Sequence, residues 1–509
     1  MISNNDSLLT WIDFSQKSDL KGLIGIEKES LRIFDGNISQ KTHSEYLGSS
    51  LCNKFITTDF ADSQLELVTP PFSKNVELFR FLENIQHFAV KNIGDEYLWP
   101  FSIPPQNKDQ KEVAIAHFGK SNKATFKHVY RNGLAERYGK DMQTISGIHI
   151  NFSYSDAFWN SIKVNSSQKN IKELKSMIYF RAIRNIERCN WLLLYFFGAS
   201  PILCKNLIND NHEFKEINDD EYYLPYATSL RMSSMGYQNI SQSKLNISLD
   251  NLESYLANLK SATETVSDEF IKFESDGGRL KQLNSNLLQI EDEYYAISRP
   301  KSSVPHDIRQ IKKLSEFGVD YLELRSLDLN PFSLYGVEIE DLDFIELFIL
   351  YCTITPSPII DRVEQENINK NNRLIAIEGR KEGLELIKNG KSIPLSDWAF
   401  EIIDQIEELS EIFGFKKFSK EEYLSKASNP EATLSARVIN ESLGNSGGFH
   451  QLGESIAKKN QSRYKNIPET DNKDWQLFKD EKRRSLEEQH QLENAKEESF
   501  LNYLDNFYN

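Results

Sequence analysis

Gly25-Ile-Glu-Lys-Glu29 alternates between apolar and acidic residues, which predicts a β-strand with Glu27 and Glu29 on one face and Ile24 and Ile26 on the other. The pattern returns at Gly147-Ile-His-Ile-Asn151, where His149 and Asn151 share a face. It returns again at Tyr321-Leu-Glu-Leu-Arg325, where Glu323 and Arg325 oppose Leu322 and Leu324. A fourth segment, Thr57-Thr-Asp-Phe60 followed by Leu65-Glu-Leu-Val68, sets Asp59 at a strand end and Glu66 between two leucines. Elsewhere the spacing turns helical. Residues 76–90 carry Leu78, Phe79, Leu82 and Ile85 on one face behind a Pro70-Pro71 turn, and helices are also predicted over 172–197, 249–273, 341–352 and 396–413. Strands and helices alternate irregularly, so the expected class is α+β. No repeat of 20 to 50 residues and no Pro-rich or Gly/Ser-rich linker divides the chain.

If the acidic faces belong to one sheet, Glu27, Glu29, Asp59, Glu66 and Glu323 crowd together, and like charges at close range repel or take up protons. A positive partner is required. Carboxylate-rich sets suit hard cations such as Mg²⁺ or Mn²⁺, and Mg²⁺ held by a few carboxylates commonly shares its shell with substrate phosphates. The acidic face therefore points to nucleotide chemistry with more than one Mg²⁺.

The remaining features narrow the field. A net charge of −15 over 509 residues argues against nucleic-acid binding and against attraction to anionic membranes, so the partners are expected to be small molecules. The polar, acidic start of the chain shows no secretory pattern, and the four cysteines, Cys52, Cys189, Cys204 and Cys352, have neither zinc-knuckle nor redox spacing. A cytoplasmic protein with reduced thiols is expected. The most apolar run, Trp191 to Gly198, is far shorter than the roughly 20 residues that span a bilayer, and reads as core. Composition shifts near residue 460, giving a single catalytic domain over 1–460 and a charged tail over 461–509, expected as a solvated helix or mobile arm. Neither a P-loop nor a dinucleotide-binding glycine turn is present. Gly444-Asn-Ser-Gly-Gly448 matches a serine-hydrolase elbow on paper, but the residues before it read as helix, not strand.

These segments together resemble the proteobacterial type of glutamate-cysteine ligase. The resemblance rests on Gly25-Ile-Glu-Lys-Glu-Ser-Leu-Arg32, Thr57-Thr-Asp-Phe-Ala61, Met142-Gln-Thr-Ile-Ser-Gly-Ile-His-Ile-Asn-Phe-Ser153, Tyr222-Tyr-Leu-Pro-Tyr-Ala-Thr-Ser-Leu-Arg-Met232 and Glu323-Leu-Arg-Ser-Leu-Asp-Leu-Asn-Pro-Phe332, in the family's order. It implies a fold like the catalytic domain of glutamine synthetase, a curved and mainly antiparallel sheet with helices on its back. It also implies ATP-dependent ligation of L-cysteine to the γ-carboxylate of L-glutamate through a γ-glutamyl phosphate. By the same resemblance Glu27, Glu29, Asp59, Glu66, His149 and Glu323 hold the metal ions. Arg231 and Arg325 serve the phosphate side, where planar guanidinium forks suit phosphoryl oxygens. Tyr130, Leu134, Gln143, Ile145, Tyr237 and Tyr295 line the cysteine pocket. A monomer and feedback by glutathione are implied too. Lys28, Ser30 and Ile150 depart from the family's usual Arg, Thr and aromatic residue, and none of them is a predicted ligand.

Taken singly, each of these residues has a simpler reading. Paired acids often only decorate a solvated strand, a histidine between isoleucines is often structural, and Arg325 can merely pair with Glu323. Two other activities would use the same acidic face: a glutamate ligase with a different amine acceptor, and a metal-dependent phosphohydrolase. A general base is not identifiable from the sequence, although one of the metal-side carboxylates could serve.

Overall fold

A computed structural model describes residues 3–13, 20–106, 113–162, 170–208, 213–236, 242, 245–273, 275–276, 279–304, 308–415, 418–468 and 473–508. Its frame is an eight-stranded sheet. Six strands make the main path: β1 (Gly22–Phe34), β2 (Ile56–Thr58), β3 (Gln64–Val68), β4 (Ile148–Tyr154), β5 (Ser298–Lys301) and β6 (Tyr321–Leu327). They lie in the order β5-β6-β4-β1-β3-β2, and every neighbouring pair is antiparallel. Two short strands, Asn37–Ile38 and Tyr97–Leu98, pair with the far end of β1. The fold mixes helices with antiparallel sheet, as the alternating segments lead one to expect.

Alternation gives this sheet two different faces. On the rear, Ile24, Ile26, Ile148, Ile150, Leu322 and Leu324 are at most 1% exposed and join one continuous core. Each such side chain contributes on the order of 1.5–3 kcal/mol when removed from water, which fixes the register and so fixes the front face as well. Helices α1 (Asn75–Asn92), α3 (Ile171–Phe197) and α5 (Ile339–Ile354) supply the opposing apolar surface, with α1 against β1 and β3 and α3 against β5 and β6. The run Trp191 to Phe197 is buried on α3, as expected of core, with the Trp191 ring 4.8 Å from that of Trp398. Among the described residues no helix is long and apolar enough to cross a membrane.

Between α1 and α3 lies α2 (Asn122–Tyr138), started by Ser121, whose hydroxyl accepts the Ala124 N–H. Its apolar positions are too sparse to form a stripe, so the sequence pattern does not announce it. The helix expected over 249–273 is shorter: α4 (Leu252–Glu264) stops at Thr265, and Val266 turns to an extended bridge with Asn286. Two β-branched residues in succession end the helix there. The helix expected over 396–413 is α6 (Leu395–Phe413), and α7 (Leu434–Gly444) precedes the serine-elbow look-alike, which thus lacks the strand it needs.

The charged tail is helical but is no free arm. After α8 (Gly448–Asn466), α9 (Lys473–Asn494) buries Trp475 and Phe478 against Phe81 and Phe88 of α1. The terminal α10 (Phe500–Tyr508) seats Phe507 on Phe126 of α2 at 4.5 Å. A few aromatic residues set among many charges are enough to dock both helices.

Candidate active site

The front face of the sheet gathers the predicted ligands by register alone. Glu66 of β3 stands opposite Glu29 of β1, Glu27 opposite His149 of β4, Asn151 opposite Glu323 of β6, and Glu323 opposite Arg299 of β5. Glu27, His149 and Glu323 each offer a ligand atom, and these atoms all lie within 4.8 Å of one another. Glu29 Oε1 is 3.7 Å from His149 Nε2, while its Oε2 accepts the Gly147 N–H at 2.9 Å. Asp59 follows β2 directly and is half-buried, 3.9 Å from Arg131 Nη2. The structure therefore brings the five acids and the imidazole to one side of the sheet.

The electrostatics of that side are those of acids crowded together out of water. Burial pushes the Glu29 carboxyl up to about 8, and the nearby Asp59 adds to the shift. Burial, with Glu27, Asp59 and Glu29 around it, also holds Glu66 well above the usual carboxylate range. Burial and the Arg325 charge push His149 down to about 4, so the imidazole is neutral, which is its metal-ligating form. Glu323 behaves differently. Burial opposes its charge, yet Arg325, Lys301 and Arg299 hold it well below the usual range. Among the described residues, His149 Nε2 and Glu323 Oε2 are buried without a hydrogen bond, Glu323 Oε2 having only the Lys301 ammonium at 3.4 Å. Carboxylate oxygens and one neutral imidazole whose Nε2 makes no hydrogen bond fit hard divalent cations.

Both predicted arginines border this cluster, in different ways. Alternation puts Arg325 on the front face with Glu323, and the β6 register slips by one residue between Leu324 and Leu327, directly after it. Its Nη1 bonds Glu323 and lies 3.4 Å from His149 Nδ1. Arg231 is fully buried: Nη2 donates to the Arg325 carbonyl at 2.9 Å, and Nη1 is 3.7 Å from Asp328 Oδ1. It lies flat against Gly147, where a Cβ would come within 2.1 Å of Nη2. Of the residues expected around cysteine, Gln143 donates to the Tyr295 hydroxyl at 2.7 Å. The Tyr130 phenol is raised well above its ordinary value by burial and by Glu293. Leu134 and Ile145 are buried in the adjoining core, and Tyr237 lies outside the described residues.

Several neighbours of the site, Asn151 apart, were not singled out from sequence. Lys301 Nζ lies 3.4 Å from Glu323 and 3.3 Å from Asp292, and Arg299 sits beside it on β5. Asn151 donates to Glu27 Oε1 at 2.8 Å. From α2, Arg131 reaches Asp59 and the charge of Lys127 is felt by Glu66. Arg299-Pro-Lys301 carries the same two-residue alternation as the acidic strands, and Lys127 and Arg131 share a helix face at a spacing of four. Both signals were available in the sequence.

Comparisons with known proteins identify the family. The family model described as glutamate-cysteine ligase matches residues 10–375. A curated glutamate-cysteine ligase of Alcanivorax borkumensis is 38% identical over 95% of this chain and 95% of its own length. One from Pseudomonas putida is 38% identical over 92% of this chain and 91% of its own. A crystal structure of glutamate-cysteine ligase from Francisella tularensis in complex with AMP superposes with a TM-score of 0.88 at 32% identity, covering 96% of this chain and 98% of that one.

Proposed function

The chain belongs to the glutamate-cysteine ligase family, and from this premise we propose that the front face of the sheet is where ATP activates the γ-carboxylate of L-glutamate for attack by L-cysteine. The reaction is an ATP-dependent ligation that passes through γ-glutamyl phosphate and gives γ-glutamylcysteine, ADP and phosphate, the first step of glutathione synthesis. The observation that carries the assignment is the convergence of Glu27, His149 and Glu323 within 4.8 Å, under the guanidinium of Arg325.

In this reading Glu27, Glu29, Asp59, Glu66, His149 and Glu323 hold more than one Mg²⁺, with Mn²⁺ as a substitute. Bound there, the ions would neutralise and align the phosphoryl oxygens. Arg325 faces the transferring phosphoryl group. Arg231, buried behind it, holds the Arg325 backbone in place and lowers the cost of charge on Glu29. Tyr130, Leu134, Gln143, Ile145, Tyr237 and Tyr295 form the cysteine pocket, with the Gln143–Tyr295 hydrogen bond setting its polar edge. A front-face carboxylate takes the proton of the attacking amine. No protein nucleophile is needed, because the acyl phosphate already carries the activation. A sheet curved around the substrates, as in glutamine synthetase, belongs to the same reading. So do a monomer, a cytoplasmic setting and feedback by glutathione.

The test is product formation by the purified protein with MgATP and L-glutamate, with and without L-cysteine. ADP appearing in step with γ-glutamylcysteine supports the reading. ADP with another γ-glutamyl amide but none with cysteine would reassign the acceptor pocket. Phosphate release without glutamate would indicate a phosphohydrolase.

A further inference from the structure

Behind the acidic face, β1 carries a second chemistry. Lys28 and Ser30 alternate with Glu27 and Glu29 and so point to the rear, where they line a pocket of about 20 Å³ together with Gln86, Leu98, Trp99 and Tyr464. Lys28 is 5% exposed, and buried lysines are normally paired with an acid. Among the described residues, however, its ammonium meets no carboxylate and donates to the Gln86 carbonyl oxygen at 2.5 Å. Gln86 is locked in that orientation, because its amide donates to the Leu334 carbonyl at 2.8 Å and the Tyr464 hydroxyl at 2.7 Å. Among the described residues, the hydroxyl of Ser30, 3% exposed, has no hydrogen-bond partner.

In its charged form Lys28 has two further ammonium protons, which with the Ser30 hydroxyl face a space lined by Leu98, Trp99 and Leu329 and by the polar Ser333, Asn460 and Gln461. Such a set calls for an acceptor that takes several hydrogen bonds and carries negative charge. The size is decisive, since a single water needs about 10–15 Å³ and a carboxylate or phosphate needs several times that. The cover is also specific. Gly336, at φ +81°, lies over the lysine stem, and a Cβ there would come within 3.1 Å of Lys28 Cε and 2.9 Å of Leu329 Cδ2. We propose that the pocket formed by Lys28 and Ser30 behind β1 binds a monovalent, monatomic anion of the halide class. A weakly hydrated halide balances the buried ammonium and tolerates the apolar walls.

The test uses the purified full-length protein in chloride-free buffer. Its unfolding midpoint is followed while sodium chloride or bromide replaces sodium methanesulfonate at constant ionic strength. Crystals grown in bromide are examined by anomalous scattering. The midpoint rises saturably with either halide, and a bromide peak appears within hydrogen-bonding distance of Lys28 Nζ and Ser30 Oγ. Lys28→Met loses both effects. Ser30→Ala, which keeps the fold if Lys28→Met does not, raises the half-saturating halide concentration about tenfold, the scale of one hydrogen bond to an ion. A water without anomalous signal beside Lys28, or equal midpoints in all three salts, overturns the proposal.

Discussion

Glu29 and Glu66 stand directly opposite one another across the β1–β3 ladder, and both are turned to the buried front face. Like charges in this position destabilise a sheet, and here burial has already pushed Glu29 up to about 8. The arrangement is costly for the metal-free protein and favourable once cations arrive. Glu66→Gln is therefore expected to raise the unfolding midpoint without metal while lowering turnover at least about 100-fold, the scale of losing a charge-stabilising group. Calorimetric unfolding with and without Mg²⁺, beside steady-state kinetics, checks both halves. Mg²⁺ binding to the wild type near pH 7 should also release protons, because protonated acids must ionise to bind it.

Gly147 allows Arg231 to lie against the backbone of β4's leading edge. Gly147→Ala places a methyl within 2.1 Å of Nη2, and the guanidinium has no nearby space to retreat into because it is fully buried. Turnover falls at least about tenfold, on the scale of a small misplacement in a site that works by alignment. Alanine at Gly139, which has open space around its Cβ position but a positive φ, affects stability and leaves turnover unchanged.

Glu346 gives a pH signature away from the site. It is buried on α5, accepts the Gly22 N–H at 2.7 Å, and burial raises it from the ordinary 4.5 to about 8. Between those two values the unfolded chain has lost the proton that the folded chain keeps, so stability falls as pH rises from 4.5 to about 8 and then levels off. Glu346→Gln keeps the acceptor and removes this slope. Its unfolding midpoint exceeds that of the wild type at pH 8 and converges with it near pH 4.5, as pH-resolved thermal melts can show.

Most of this site was legible in the sequence because it is written in strands. A two-residue period sorts Glu27, Glu29, His149 and Glu323 from their isoleucine and leucine neighbours without any knowledge of pairing. What the period does not encode is which strands adjoin. The alignment of Glu29 with Glu66 and of Glu27 with His149 comes from the buried rear residues of several segments packing at once. The bulge between Leu324 and Leu327 is likewise invisible, since one extra residue leaves no mark in composition. On helices the signal was weaker. α2 lacks an apolar stripe, and the docking of α9 and α10 depends on a few aromatic residues within a charged stretch.

The terminal helix α10 packs on α2, the helix that carries Tyr130 and Leu134 of the proposed cysteine pocket. Phe507 packs on Phe126, and Tyr508 donates to the Gln289 carbonyl at 2.8 Å, while Tyr130 and Leu134 lie one and two turns further along the same helix. Removing residues 500–509 should loosen α2 and raise KM for L-cysteine several-fold, about 1 kcal/mol for a lost aromatic contact, with KM for ATP little changed. Equal rises in both would show that the helix supports the fold as a whole.

The proposed function requires the front-face carboxylates to hold the metal ions. Electron paramagnetic resonance counts the Mn²⁺ bound there when a non-hydrolysable ATP analogue is present. More than one Mn²⁺ per wild-type chain, with at least one lost in Glu323→Gln and in Glu66→Gln, is the predicted result. An unchanged count in both variants, each folded, would contradict it.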